Sequence, residues 1–209
     1  MKSLYFVRHG QSLANTGAKS MPDVDIPLTE CGIHQAQILQ QNWQQQSLPN
    51  PSHIYASPML RAKQTAAIFN QPFGLNIDIV PSLSEFSYLS YQTVAGMTGD
   101  ERAVVAQHYW QAVALDERDG GDADSFIGFY QRVADFRQQI DDFEHNSVFF
   151  GHGMWIAMLA WQLMGGGAES LQDKMKFRQF QMALPMYNTV VYRLDCQGEV
   201  RQLSHVKLL

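Results

Sequence analysis

Two short stretches of the chain end on a histidine followed by glycine: Phe6-Val7-Arg8-His9-Gly10 and Phe149-Phe150-Gly151-His152-Gly153. A third, His53-Ile54-Tyr55-Ala56, runs through Ser57-Pro58 to Arg61. Gathered at one end of a sheet, two histidines with Arg8 and Arg61 form a cluster of donors that is hard to explain as packing. It is easy to explain as an oxyanion clamp. Arginine suits phosphate because its planar fork binds two oxygens at once and keeps its charge. Glycine after each histidine is expected to let the backbone approach an anion closely. Helix N-termini after Ser57 and after His152 are expected to add N–H donors and a favourable dipole.

These residues meet only if the right elements carry them. Residues 4–7 are a short apolar run that stops at Arg8, which suits a buried strand ending in a loop. Residues 29–43 have Ile33, Ala36, Leu39 and Trp43 at helical spacing. Strand 53–56 should lead into a helix capped by Ser57 with Pro58 in its first turn, carrying Met59, Ala62, Ala66 and Phe69 on one face. Residues 77–80 read as a strand. Residues 84–121 are less regular and predict a partly helical excursion from the core. From Asp124, taken as an N-cap, Phe126, Phe129, Tyr130, Val133, Phe136, Ile140 and Phe143 form the apolar stripe of a long helix. Strand 147–151 and helix 154–164 follow. Strands 188–194 and 199–206 flank a hairpin at Gln197-Gly198. Strands alternating with helices predict a three-layer αβα sandwich around a mainly parallel sheet, one domain over residues 1–209. In such sheets ligands bind beyond the carboxyl ends of the strands, where both histidines would lie.

Composition bounds the function. The chain has 209 residues, 45% hydrophobic and 17% charged, as in ordinary soluble globular proteins. Its formal charge of −5 argues against nucleic acid or an anionic membrane as the main partner, while leaving room for a small anionic substrate. Two distant cysteines, Cys31 and Cys196, suit a reducing cytoplasm. Neither the start of the chain nor residues 154–164 reads as a signal peptide or a membrane span. A homodimer is a further expectation. No acidic cluster with metal-ligand spacing is apparent, so neither metal nor cofactor is expected.

Arg8-His9-Gly10-Gln11-Ser12-Leu13-Ala14-Asn15 resembles the Arg-His-Gly signature of the histidine phosphatase superfamily, the phosphoglycerate mutase-like proteins. The resemblance continues through Pro27-Leu28-Thr29-Glu30 with Gly32 and Gln35-Ala36. It extends through residues 57–66, Gly151-His152-Gly153 and Asn188-Thr189-Val190-Val191. Five ordered blocks are far more specific than a bare Arg-His-Gly. The resemblance implies that His9 is the nucleophile and that Arg8, Arg61 and His152 hold the phosphate oxygens. Asn15 and Gly153 are implied as further contacts. It also implies Glu85 as the proton donor to the leaving oxygen and the later activator of water.

After Glu85 the chain reads Phe86-Ser87-Tyr88-Leu89-Ser90-Tyr91, which matches neither the Trp-Glu-Gly block of many family phosphatases nor the mutases' own run. Phe86, Tyr88, Tyr91, Arg102, Tyr109 and Trp110 are the residues of the excursion that would line the leaving-group side. Asp100 and Glu101 stand as alternative acids. The function expected is hydrolysis of a small phosphorylated metabolite through phosphohistidine. A phosphoglycerate mutase and a non-catalytic phosphate-binding regulatory protein are the alternatives.

Overall fold

The computed structural model describes residues 1–208. Its sheet is built from β1 (Lys2–Arg8), β2 (Ile54–Ala56), β3 (Ile77–Ile79), β4 (Val148–Gly151), β5 (Val191–Gln197) and β6 (Val200–Val206), in the order β3-β2-β4-β1-β5-β6. The first four in that order are mutually parallel, and β5 and β6 add an antiparallel edge. The helices are α1 (Glu30–Gln45), α2 (Leu60–Phe69), α3 (Tyr91–Val94), α4 (Gly99–Ala112), α5 (Phe126–Gln138), α6 (Gly153–Leu163) and α7 (Leu171–Ala183).

Both faces of the central strands are covered, which is why β1 reads as an unbroken apolar run rather than an alternating one. Leu4 and Phe6 point into a core with Phe149, Phe129 and Phe136 of α5 and Trp155 of α6. Tyr5 and Val7 point the other way, into a second core with Val148, Phe150, Leu39, Trp43 and Phe69 from α1 and α2. Each fully buried large apolar side chain contributes about 1.5–3 kcal/mol. The expected α/β sandwich is therefore present.

Several boundaries move, each for a physical reason. The stripe helix is capped by Ser125, whose hydroxyl accepts from Gly128 N–H at 3.1 Å, and not by Asp124. Asp124 instead forms an ion pair with Arg132 at 2.9 Å. Helix α2 starts at Leu60, beyond Ser57-Pro58, and its N-cap position is Met59. The hairpin turns at Gly198, whose φ of +57° is the left-handed region that glycine tolerates. The strand expected from residue 188 begins only at Val191, because Asn188 and Thr189 form a turn, with Thr189 at φ +61°.

Excursion 84–121 is partly helical, carrying α3 and α4. Tyr109 and Trp110 are buried in the α5–α6 core. Sequence reasoning missed α7, because its inward face carries Lys174 beside Phe177. Lys174 is fully buried. Its ammonium donates to the carbonyls of Tyr109 at 2.8 Å and Val113 at 2.9 Å, at the end of α4. It also lies 3.6 Å from the centre of the Tyr109 ring. Burial lowers its pKa to about 8.

Candidate active site

Register brings the two histidines together. Arg8 of β1 pairs with Gly151 of β4, so the next residues, His9 and His152, leave neighbouring strands side by side. Their ring centroids are 5.2 Å apart at 61°. His9 is 4% exposed and His152 fully buried. Burial, followed by the Arg61 charge, holds the pKa of each well below the ordinary histidine value, so both rings are neutral near pH 7.

A neutral imidazole has one donor and one acceptor nitrogen. His9 Nδ1 lies 2.6 Å from the Gly10 carbonyl, which can only accept, so Nδ1 carries the proton and Nε2 the lone pair. Arg61, in the first turn of α2, donates from Nε to that same Nε2 at 3.2 Å. Its other donors reach the Asp23 carbonyl at 2.7 Å, the Asp23 carboxylate at 2.9 Å and Met59 Sδ at 3.1 Å. Ser57 Oγ sits 2.8 Å from His152 Nε2, made possible by the pairing of β2 with β4. Ser57 thus serves the second histidine, while its Oγ also accepts from the N–H of Met59 at 3.3 Å, just ahead of α2.

Arg8 donates from Nη1 to the Met186 carbonyl. Burial lowers its pKa, with the nearby Glu85 charge acting in the opposite sense. Gly153 opens α6 beside it: a β-carbon there would lie 2.9 Å from the Met186 side chain and 3.4 Å from Arg8 Nε. Gly10 is needed for a different reason than an approaching anion. Its β-carbon would lie 2.4 Å from the carbonyl oxygen of Gly32 on α1. The glycines after the two histidines therefore admit Gly32 on one side, and Arg8 with Met186 on the other.

Glu85 stands at the N-terminus of α6. Its carboxylate accepts from Phe86 N–H at 3.0 Å, Trp155 N–H at 3.1 Å and Met154 N–H at 3.2 Å. The donors at the head of α6 thus face a carboxylate of the chain itself. Burial raises the Glu85 pKa, outweighing the Phe86 amide, the Arg61 charge and the Met154 amide; Asp23 pushes it up as well. Asn15 is exposed, and its side-chain oxygen accepts from Ser12 N–H at 3.0 Å and Asn188 Nδ2 at 3.2 Å. The Glu101 carboxylate instead accepts from Thr98 N–H at the start of α4. Asp100 is exposed in the same turn. His145 and His205 have other partners, Ser3 N–H and Tyr187.

Sequence reasoning missed residues that hold these groups. Asp23 binds Arg61 and also accepts from Ser87 Oγ at 2.6 Å. Arg132 of α5 donates to the carbonyls of Ser84 and Glu85, at 3.3 and 3.2 Å, fixing the Glu85 backbone. Thr65 Oγ1 accepts from Gly10 N–H at 3.1 Å. Beside Arg61 and Glu85 opens a cavity of about 500 Å³, with Asp23, Met59 and Phe86 in its wall. Of the excursion residues expected to line the leaving-group side, Phe86, Tyr88, Tyr91 and Arg102 line this cavity, and Tyr109 and Trp110 do not. No group of three or more His, Cys, Asp or Glu side chains able to hold a metal ion occurs among the described residues.

Fold and site together define an α/β protein with a buried pair of neutral histidines and two arginines at the strand ends. The family model of the histidine phosphatase superfamily, branch 1, matches residues 4–208, and the chain belongs to that superfamily. A protein of Photorhabdus laumondii named probable phosphoglycerate mutase GpmB is 32% identical over 123 residues, 58% of this chain and 53% of that protein. Its namesake in Yersinia pestis is 34% identical over 103 residues, 48% of this chain and 46% of that protein. The matched region thus spans about half the length of these curated relatives.

Solved structures show the same fold along nearly the whole chain. The alpha-ribazole phosphatase of Shigella flexneri superposes with a TM-score of 0.75 at 21% identity, covering 98% of this chain and 95% of that one. A mycobacterial glucosyl-3-phosphoglycerate phosphatase gives 0.71 at 19%, covering 98% and 96%. No helix among the described residues is long and apolar enough to cross a membrane.

Proposed function

We propose that the protein hydrolyses phosphomonoesters of small metabolites through a phosphohistidine on His9, without a metal ion. One observation carries this reading: the Gly10 carbonyl fixes the His9 tautomer, so the lone pair of Nε2 faces the Arg61 guanidinium. In this reading the phosphoryl oxygens take over the Arg61 donor and free that lone pair. His9 Nε2 attacks phosphorus, the bond from phosphorus to the alcohol oxygen breaks, and Glu85 gives its proton to that oxygen. Water then attacks phosphorus, Glu85 takes back a proton, and the phosphorus–nitrogen bond breaks to release phosphate and restore neutral His9.

Arg8, Arg61 and His152 stabilise the charge on the transferring group, with Asn15 and Gly153 at its margin. Ser57, by donating a hydrogen bond from its hydroxyl to His152 Nε2, would leave Nδ1–H as the donor to phosphate. The free Cys31 and Cys196 suit a cytoplasmic setting.

His9→Ala should abolish turnover and acid-labile phosphate labelling of the protein, and activity should survive chelators. Label persisting on histidine in that variant would move the nucleophile elsewhere, first to His152. The names of the curated relatives favour a second reading, a phosphoglycerate mutase. Incubation with 3-phosphoglycerate separates the two, since isomer formation without phosphate release would replace the hydrolase.

A further inference from the structure

The cavity of about 500 Å³ is far larger than a phosphate group requires, and it adjoins the histidine–arginine cluster through residues that touch Arg61 and Glu85. Met59 and Asp23, two partners of Arg61, stand in its wall, as does Phe86, whose N–H binds Glu85. Anything esterified to a phosphate on Arg61 would therefore extend into it. Its chemistry is mostly apolar, with Leu13, Val24, Ile26 and Leu89 beside the rings of Phe86, Tyr88 and Tyr91.

The charged groups of the wall are largely engaged. Asp23 is paired with Arg61, and Asp122 accepts from Ser90 Oγ and Tyr91 N–H. Arg102 donates to the Ala18 carbonyl and Ser20 Oγ, on either side of Lys19. At the end nearest the phosphate the wall offers a carboxylate, a thioether and a ring. None of these three receives the carboxylate of a phosphorylated hydroxy acid, and Lys19, the other cation of the wall, acts on Glu101 of α4.

On the phosphatase reading above, we infer that the leaving alcohol is the occupant of this cavity. The preferred substrates are phosphomonoesters whose alcohol carries an apolar or aromatic body, in preference to phosphorylated hydroxy acids. The body is taken out of water against the side chains named, and its burial supplies the discrimination.

The test compares kcat/KM for benzyl phosphate, glycerol 3-phosphate and 3-phosphoglycerate, whose leaving alcohols are all unactivated. Benzyl phosphate should lead glycerol 3-phosphate by roughly tenfold or more, a difference of about 1.4 kcal/mol. It should lead 3-phosphoglycerate by more. Val24→Asp and Tyr91→Ser, both at side chains that reach the surface, should each lower the benzyl-to-glycerol ratio at least about threefold, by the loss of part of that apolar contact. Phosphate release from all three at similar efficiency, or a lead for 3-phosphoglycerate, overturns the inference and leaves the phosphatase reading standing. A ratio unmoved by both variants removes the cavity from the explanation. Release of phosphate from none of them overturns the phosphatase reading and the inference with it.

Discussion

Glu85 is the residue whose environment makes the sharpest demand on its chemistry. An alkoxide leaves poorly unless a proton reaches it in the transition state, so the donor must hold its proton at working pH. Burial raises the Glu85 pKa, extending the range in which the acid form persists. On the proposed mechanism His9 has the complementary requirement: it must be neutral to attack, and its depressed pKa keeps it neutral into acid. The kcat/KM profile for alkyl phosphates should therefore fall on the alkaline side as Glu85 loses its proton, at a pH above that of an ordinary glutamate. Glu85→Gln should slow phosphoryl transfer from such substrates by roughly 10²–10⁴-fold and erase that alkaline limb. Transfer from p-nitrophenyl phosphate, whose leaving group needs no proton, should fall far less. Equal pre-steady-state losses on both substrates would remove Glu85 from the role.

Among the elements, α5 supports the site, whereas α7 supports the fold. Arg132 on α5 forks onto Asp124 and reaches the backbone of Ser84 and Glu85. Arg132→Ala should lower kcat about tenfold with little change in KM, a change of about 1.4 kcal/mol in the barrier. Arg132→Lys should rescue little of it, since a lysine cannot reproduce the fork. A pure stability effect would instead leave kcat per folded molecule unchanged. Lys174→Ala breaks two bonds to α4 carbonyls and opens a hole under the Tyr109 ring. The loss should be about 3 kcal/mol in urea unfolding, with kcat nearly unchanged.

These two elements also mark where the sequence was legible. Arg8, His9, Arg61, Glu85 and His152 could be nominated because each lies in or beside a short contiguous pattern. Asp23, Ser87 and Arg132 act across tens of residues, through contacts that exist only once the loops and helices have packed. Ser57 was noticed for a local role, and only strand pairing reveals its partner. Helix α7 escaped because the position that should have been apolar is a lysine satisfied by another helix.

At the scale of the whole molecule, two buried neutral histidines make stability depend on pH. In the unfolded chain each takes up a proton near pH 6.5, whereas both folded-state pKa values lie well below that. Below pH 6.5 the unfolded state therefore binds more protons, and the native state loses stability as pH falls. The two sites contribute a slope approaching about 2.7 kcal/mol per pH unit until the folded protein itself takes up the protons. The stability gap between wild type and His152→Asn, measured by urea unfolding, should accordingly narrow between pH 7 and 5.5. A constant gap would mean that His152 titrates in the native state as it does in the unfolded chain.

The strand order has a consequence for synthesis. Of these six strands β1 is made earliest, yet it is flanked in the sheet by β4 and β5. Its two partners begin at Val148 and Val191. Tyr5 and Val7 find α1 and α2 early, but for most of translation the backbone amides of β1 have no strand partner and Leu4 and Phe6 no core to enter. No partial product contains both His9 and His152 until β4 has emerged. Assembly must wait for contacts between distant parts of the chain, the kind that form slowly and leave sticky surface exposed. The same order that sets the two histidines side by side in the finished sheet thus makes their meeting one of the last events in building it.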